Sequence, residues 1–94
     1  MPIAVVSDFK DTDLDQYDKV IEALGYTPGG PGADGLLFHW ATKTPDGLRT
    51  VDIWQDRETA DAHAQAEIGP AAAAAGITAE PRVAYIDVHN YLTA

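Results

Sequence analysis

Branched and apolar residues crowd the segment from Pro2 to Phe9, which is too short for a stable helix and is stopped by an acidic cluster, so the pattern predicts a buried first strand. From Thr12 the period changes, with Leu14, Tyr17, Ile21 and Leu24 recurring at helical spacing. Thr12 and Asp15 have the form of a capping box, and Gly25 is a natural stop, which bounds a first helix. Gly25 to Gly35 holds five Gly and two Pro, sustains neither period, and is expected to be a loop. Two strands then flank Thr44-Pro45-Asp46-Gly47, where Pro45 presets φ and Gly47 is expected to take the left-handed position of a type I turn with a bulge.

Asp56 is placed to cap a second helix, with Thr59 or Glu58 completing the cap and Glu58 and Asp61 suiting the positive end of the dipole. That helix is expected to run to about Ile68 and to be interrupted at Gly69-Pro70. Pro70 can open a further helical piece through Ala71 to Ala75, which Gly76 ends. Pro81 to Tyr91 alternates branched and polar residues as a last strand should. The order is β-α-β-β-α-β, which predicts an α+β, ferredoxin-like antiparallel sheet with both helices on one face, in a single domain over residues 1–94. One sheet face is left uncovered, and the apolar content of the strands predicts that a second copy of the chain covers it.

Size and charge sharpen this picture. A chain of 94 residues buries only a modest share of its surface, so a homodimer would add needed burial. A formal charge of −9 opposes both a phosphate backbone and an anionic membrane surface, so neither nucleic acid nor membrane is an expected partner. The absence of Cys removes disulfides, thiolate nucleophiles and sulfur-ligated zinc. Met1-Pro2-Ile3 opens without a basic segment and an apolar block, and no apolar run is long enough to span a bilayer, so a cytoplasmic location is expected.

The strand ending in Val51-Asp52-Ile53-Trp54, the helix start Gln55-Asp56-Arg57-Glu58, and the later Ile68-Gly69-Pro70, Ala-rich stretch and Gly76-Ile77 resemble the dimeric α+β-barrel superfamily. The likeness is greatest to the small proteins similar to antibiotic-biosynthesis monooxygenases. The resemblance covers most of the chain through short motifs. It implies two protomers packed sheet against sheet into a barrel with a ligand cavity in each subunit. It does not imply one activity, because that superfamily includes cofactor-independent oxygenases of aromatic polyketides, haem-degrading enzymes, isomerases and proteins of no established role. The haem-degrading members resemble one another in an Asn on the first strand and a Trp and a His on the second helix. Here the first strand has Ser7 and the second helix has only His63 as a candidate. The quinone-forming members use Trp, Tyr and Asn in the cavity, of which Trp54 and Tyr85 supply part while the central strands hold no Asn.

Candidate chemistry concentrates in the hairpin. If Thr44 pairs with Leu48, then Phe38, Trp40, Thr42, Thr50, Asp52 and Trp54 share one face, while Leu37, His39, Ala41, Val51 and Ile53 share the other. The first face suits a dimer cavity for a hydrophobic or aromatic small molecule held by Phe38, Trp40, Trp54 and Tyr85; the second suits a place beneath the Ala-rich helix. A slip of one residue would bring His39 onto the face of Asp52. Asp52 in an aromatic cavity is a candidate general acid or base, against the plain alternative of a pair with Arg82 or a backbone amide. His39 is a candidate proton shuttle that could also meet His63, against the alternative of a hydrogen-bonded core residue. The two Trp are alternatively no more than interface or core anchors.

No metal and no cofactor is expected, because His39, His63 and His89 have no ligand spacing. Gly30-Pro-Gly32-Ala-Asp-Gly35 fits a dinucleotide fingerprint in letters, but it follows a helix and precedes a strand, so no helix N-terminus is available for a phosphate. Asp11-Thr-Asp13-Leu-Asp15 imitates a calcium loop with Gln16 where Gly is needed and Asp18 where an apolar residue belongs. The Gly/Pro loop, Tyr26 included, is a candidate lid, with a solvated connection as its alternative. The expectations are thus a small enzyme on an aromatic or polyketide-like molecule, or a non-catalytic dimeric binding or accessory protein, with haem binding a third reading.

Overall fold

The computed structural model describes residues 1–93. Its strands are β1 (Ile3–Lys10), β2 (Leu36–Thr44), β3 (Gly47–Trp54) and β4 (Arg82–Asp87). Helix α1 (Leu14–Ala23) joins β1 to β2, and α2 (Arg57–His63) and α3 (Gly69–Ala74) lie between β3 and β4. The strands form one antiparallel sheet in the order β2-β3-β1-β4. Each helical connection therefore steps over one intervening strand, which is the split β-α-β order that the sequence pattern predicts. The last strand is shorter than the expected Pro81 to Tyr91.

The helix ends explain themselves chemically, with one shift from expectation. Asp13, not Thr12, caps α1: its carboxylate accepts from the Gln16 amide at 2.8 Å, and the Gln16 side chain accepts from the Asp13 amide at 3.0 Å. Gln has the reach to close that box and Asp15 does not. Thr12 is buried instead and donates its hydroxyl to the Lys10 carbonyl at 3.1 Å. Gly25, at φ +80°, ends α1 through paired bonds from Gly25 to Glu22 and from Tyr26 to Ile21.

Gly69-Pro70 does not interrupt the second helix. Residues Ala64–Ile68 widen into a π turn, with the Gly69 amide bonded to the Ala64 carbonyl, and the chain continues into α3. Pro70 brings no amide to the ladder, and its ring would collide with the carbonyl four residues back, so the wider turn accommodates it without a break.

Asp56 caps α2 as expected, accepting from the Thr59 amide at 2.8 Å. The bonds from the Thr59 backbone and side chain hold the Asp56 carboxyl below the usual carboxylate range. A carboxyl whose pKa is lowered on folding stabilises the fold above its unfolded value, and the contribution fades as pH falls through the folded value. Asp56→Ala is expected to lower Tm at neutral pH and to lose that difference in acid. Thermal melts of both proteins between pH 7 and about 3 check it, and a Tm gap that persists unchanged at the acid end contradicts the assignment.

The hairpin is a tighter one than the turn sequence suggests. Thr44 pairs with Gly47, and Lys43 with Leu48, so the connection is the pair Pro45-Asp46 alone, with Gly47 outside the left-handed region. The register is shifted by one residue from the expected pairing, and a β-bulge lies between Leu36 and Phe38. Because side chains alternate, that shift exchanges the partners of every residue on β2. Thr50, Asp52 and Trp54 now share a face with His39 and Ala41, whereas Phe38, Trp40 and Thr42 share the other with Val51 and Ile53.

The face with Asp52 and Trp54 lies beneath the helices. Ile3, Trp54 and Ala60 form its buried cluster, and Val5, Ala33 and Leu36 pack against them, so the Gly/Pro loop is part of the core's edge. The opposite face is uncovered, with Phe38 46 %, Trp40 44 % and Ile86 54 % exposed. Across β1 and β3 the same face continues through Ala4, Val6, Val51 and Ile53, and it is bounded by a two-bond ion pair from Arg49 to Asp8. No helix among the described residues is long and apolar enough to cross a membrane.

Candidate functional site

Four side chains from α1, β2 and β3 meet between the first helix and the sheet. His39 stands directly opposite Asp52 across the β2–β3 ladder, and its Nδ1 bonds the Asp52 carboxylate. The other carboxylate oxygen accepts from the Trp54 indole N–H at 3.2 Å. The His39 Nε2 faces the Tyr17 hydroxyl at 2.5 Å. The His39 and Tyr17 rings are within 8° of parallel and 5.9 Å apart at their centroids. With hydroxyl and nitrogen in contact, that separation places the phenol end-on to the imidazole rather than stacked upon it.

The protonation pattern follows from the partners. A carboxylate accepts only, so Nδ1 carries the proton that is shared with Asp52, and the neutral ring then offers Nε2 as an acceptor to the Tyr17 hydroxyl. Asp52 is fixed from both sides, since β3 presents it two residues before the buried Trp54. Burial, then the charges of Asp52 and Asp18, push the Tyr17 phenol above its ordinary value, so Tyr17 stays protonated at neutral pH. The side chains of His39 and Asp52 are 27 % and 25 % exposed, so the pair is sheltered but not sealed. The arrangement is an orienting carboxylate, an imidazole of defined tautomer, and a hydroxyl at the imidazole's basic nitrogen, which are the parts of a general-base site.

The register corrects the sequence expectations residue by residue. Asp52 and Trp54 do not share a face with Phe38 and Trp40; His39 lies beneath the helices, but together with Asp52 and not with Val51, which is on the uncovered face. Asp52 pairs with His39 and Trp54, not with Arg82, which lies opposite Asp8 on the uncovered face. Phe38 and Trp40 therefore stand on the uncovered face. Tyr85 faces the second helix, donates to Asp61 at 3.1 Å, and carries the Arg57 guanidinium 3.8 Å above its ring. His63 does not meet His39; its ring packs against Trp54 at 5.2 Å and Tyr26 at 6.4 Å. His89 is exposed in a bend after β4. Among the described residues no group of three His, Cys, Asp or Glu is arranged to hold a metal ion.

Tyr17 is the member that sequence reading assigned only to packing. The available signal was its hydroxyl: it is the one polar group in the apolar series Leu14, Tyr17, Ile21, Leu24, and a buried phenol needs a partner. Two open depressions of about 440 and 600 Å3 lie around the Pro45–Asp46 turn, and neither is lined by Tyr17, His39 or Asp52. No family model matches the sequence, and no curated protein matches it either.

Proposed function

We propose that this chain is a small, cofactor-independent enzyme that removes a proton from an aromatic, polyketide-like molecule, in the manner of the antibiotic-biosynthesis-monooxygenase-like proteins it resembles. The observation that carries the reading is the Asp52–His39 pair with its basic nitrogen turned to a hydroxyl. Asp52 is the positioning residue and His39 the base; Trp54 holds Asp52 in place. The uncovered sheet face, with Phe38 and Trp40 exposed, supports the homodimer that the resemblance implies, because a second copy would remove that surface from water. In this reading Phe38 and Trp40 serve the dimer, and the reaction takes place within each protomer beneath α1. Tyr85, bonded to Asp61, borders the second helix and is not assigned to the substrate.

Dithranol, a dihydroxyanthrone, is a suitable probe. His39 takes a proton from the probe, the resulting anion transfers electrons to dioxygen, and the peroxide formed loses water to give the dihydroxyanthraquinone, so one anthrone and one dioxygen yield one quinone and one water. Oxygen uptake with quinone absorbance measures it, above the uncatalysed rate. His39→Ala is expected to lower kcat/KM by roughly 100-fold, and Asp52→Asn by a comparable factor through loss of the tautomer. Turnover that is unchanged in both variants overturns the assignment.

A non-catalytic dimeric binding or accessory protein is the second reading, favoured by the Tyr17 hydroxyl already filling the position in front of Nε2. It predicts a dimer on sedimentation with no turnover of any anthrone. A protomer that sediments alone at high concentration removes the premise of this second reading, and removes the dimer, but not the Asp52–His39 site, from the first. The haem reading has no support in the site, since His63 lies between Trp54 and Tyr26 and the first strand offers Ser7.

A further inference from the structure

We infer that Tyr17 holds the place of a ligand hydroxyl, and that the group recognised at His39 is the weakly acidic hydroxyl of a phenol or enol, which displaces the Tyr17 phenol from Nε2. The inference deepens the proposed function and rests on it for the role of His39 as a base.

Three features point to displacement. First, the phenol meets the imidazole end-on, its oxygen 2.5 Å from Nε2 and the two ring planes within 8° of parallel, so an aromatic hydroxyl is the group bonded at that ring nitrogen. The protein's own side chain thus displays the ligand chemistry that Nε2 accepts. Second, the Tyr17 hydroxyl already occupies the acceptor position at Nε2, so a ligand hydroxyl that bonds that nitrogen takes the place of Tyr17. Third, Tyr17 is a poor proton donor in its place, because burial and the neighbouring Asp52 and Asp18 keep it neutral. A more acidic phenol or enol would match the imidazole better and could pass its proton to Nε2. For an anthrone-like molecule, the relevant form is its enol tautomer, whose hydroxyl proton loss gives the same anion as loss of the carbon proton.

The movement required is local. Tyr17 is half-buried on a helix whose packing partner is α3, and α1 is tied to the segment after α3 by a bond from the Gln16 side chain to the Gly76 carbonyl at 3.2 Å. A rotation of the Tyr17 side chain breaks the hydrogen bond to His39 and leaves the Gln16–Gly76 tie untouched.

Para-nitrophenol binding, followed by its absorbance, tests the inference on the full chain. Tyr17→Phe removes the competing hydroxyl and keeps the ring, so the variant is expected to bind para-nitrophenol roughly tenfold more tightly than the original protein, the factor that one broken hydrogen bond supports. Para-nitroanisole, which lacks the hydroxyl, is expected to show no such gain, and His39→Ala is expected to abolish it. Equal affinity in Tyr17→Phe, or an equal gain for the ether, overturns the inference. Should Tyr17→Phe lose its fold by circular dichroism, the unmodified protein decides the matter. Its His39 Nε2 resonance must then shift with para-nitrophenol and not with the ether, and an unmoved resonance overturns the inference. Because the readout is binding, a failed anthrone assay with the tenfold gain intact sinks only the oxygenase reading; an active enzyme without the gain sinks only the displacement.

Discussion

Gly47→Ala is expected to destabilise the protein by about 3 kcal/mol or more, a large share of what a domain of this size has, and to leave little folded protein at physiological temperature. A Cβ at Gly47 would stand 2.0 Å from the Phe9 carbonyl oxygen, 3.1 Å from the Phe9 carbonyl carbon and 3.2 Å from the Asp11 amide nitrogen. All three are backbone atoms, so no flexible side chain can give way. The segment cannot retreat easily, because Gly47 pairs with Lys10, and the Asp11 amide bonds the Asp46 carbonyl at 2.9 Å. Asp11 is itself held at φ +53°, a conformation that few residues other than Gly adopt. Gly47 is therefore required by the approach of β1 and not by its own backbone angle. Urea unfolding of the variant, or its recovery only in insoluble form, checks this; a Tm within a few degrees of the original would show that the end of β1 can move aside.

Trp54→Ala is expected to cost about 3–5 kcal/mol, the range for truncating a large aromatic side chain in a packed core. The indole is 3 % exposed, clusters with Ile3 and Ala60, and lies 5.2 Å from the His63 ring. Ala would leave a void where these groups now touch, and would also remove the donor at the Asp52 carboxylate. Trp54→Phe separates the two contributions, since it keeps most of the packing and loses the N–H. Its expected cost is about 1–2 kcal/mol, with a clear effect on the position of His39. Chemical denaturation gives both costs, and histidine side-chain NMR follows His39. If Trp54→Phe leaves the His39 resonances unmoved, the indole is a packing group only.

The Gly47 case shows how far local sequence reading reaches. Pro45 and Gly47 were legible as turn residues, and the hairpin lies where they predict it. The same letters suit a bulged turn with a left-handed Gly and a tighter turn with a close neighbour, and the neighbour is Phe9, far away in sequence. The caps were legible for a related reason: Asp56, Gly25 and Gly76 act on atoms within a few residues, so their chemistry is written locally. Pro70 was legible as a helix disturbance but not as a π turn, because whether a helix breaks or widens depends on what holds its two sides together.

The candidate site divides along the same line. Asp52 and His39 stood out as side chains with chemistry on adjacent strands, and a slip of one residue was the condition for their meeting. Tyr17 was hidden because its spacing is that of any packing residue, and only its partner gives the hydroxyl a meaning.

By itself the sequence determined the element order, the antiparallel α+β sheet, the place of the hairpin turn and the helix ends at Gly25, Asp56 and Gly76, since hydrophobic period and local hydrogen bonding act over a few residues. The tertiary structure decided which side chains face one another. A strand's alternation is satisfied equally well in two registers, and only the contact of β1 with the hairpin and the packing of Trp54 beneath the helices choose between them.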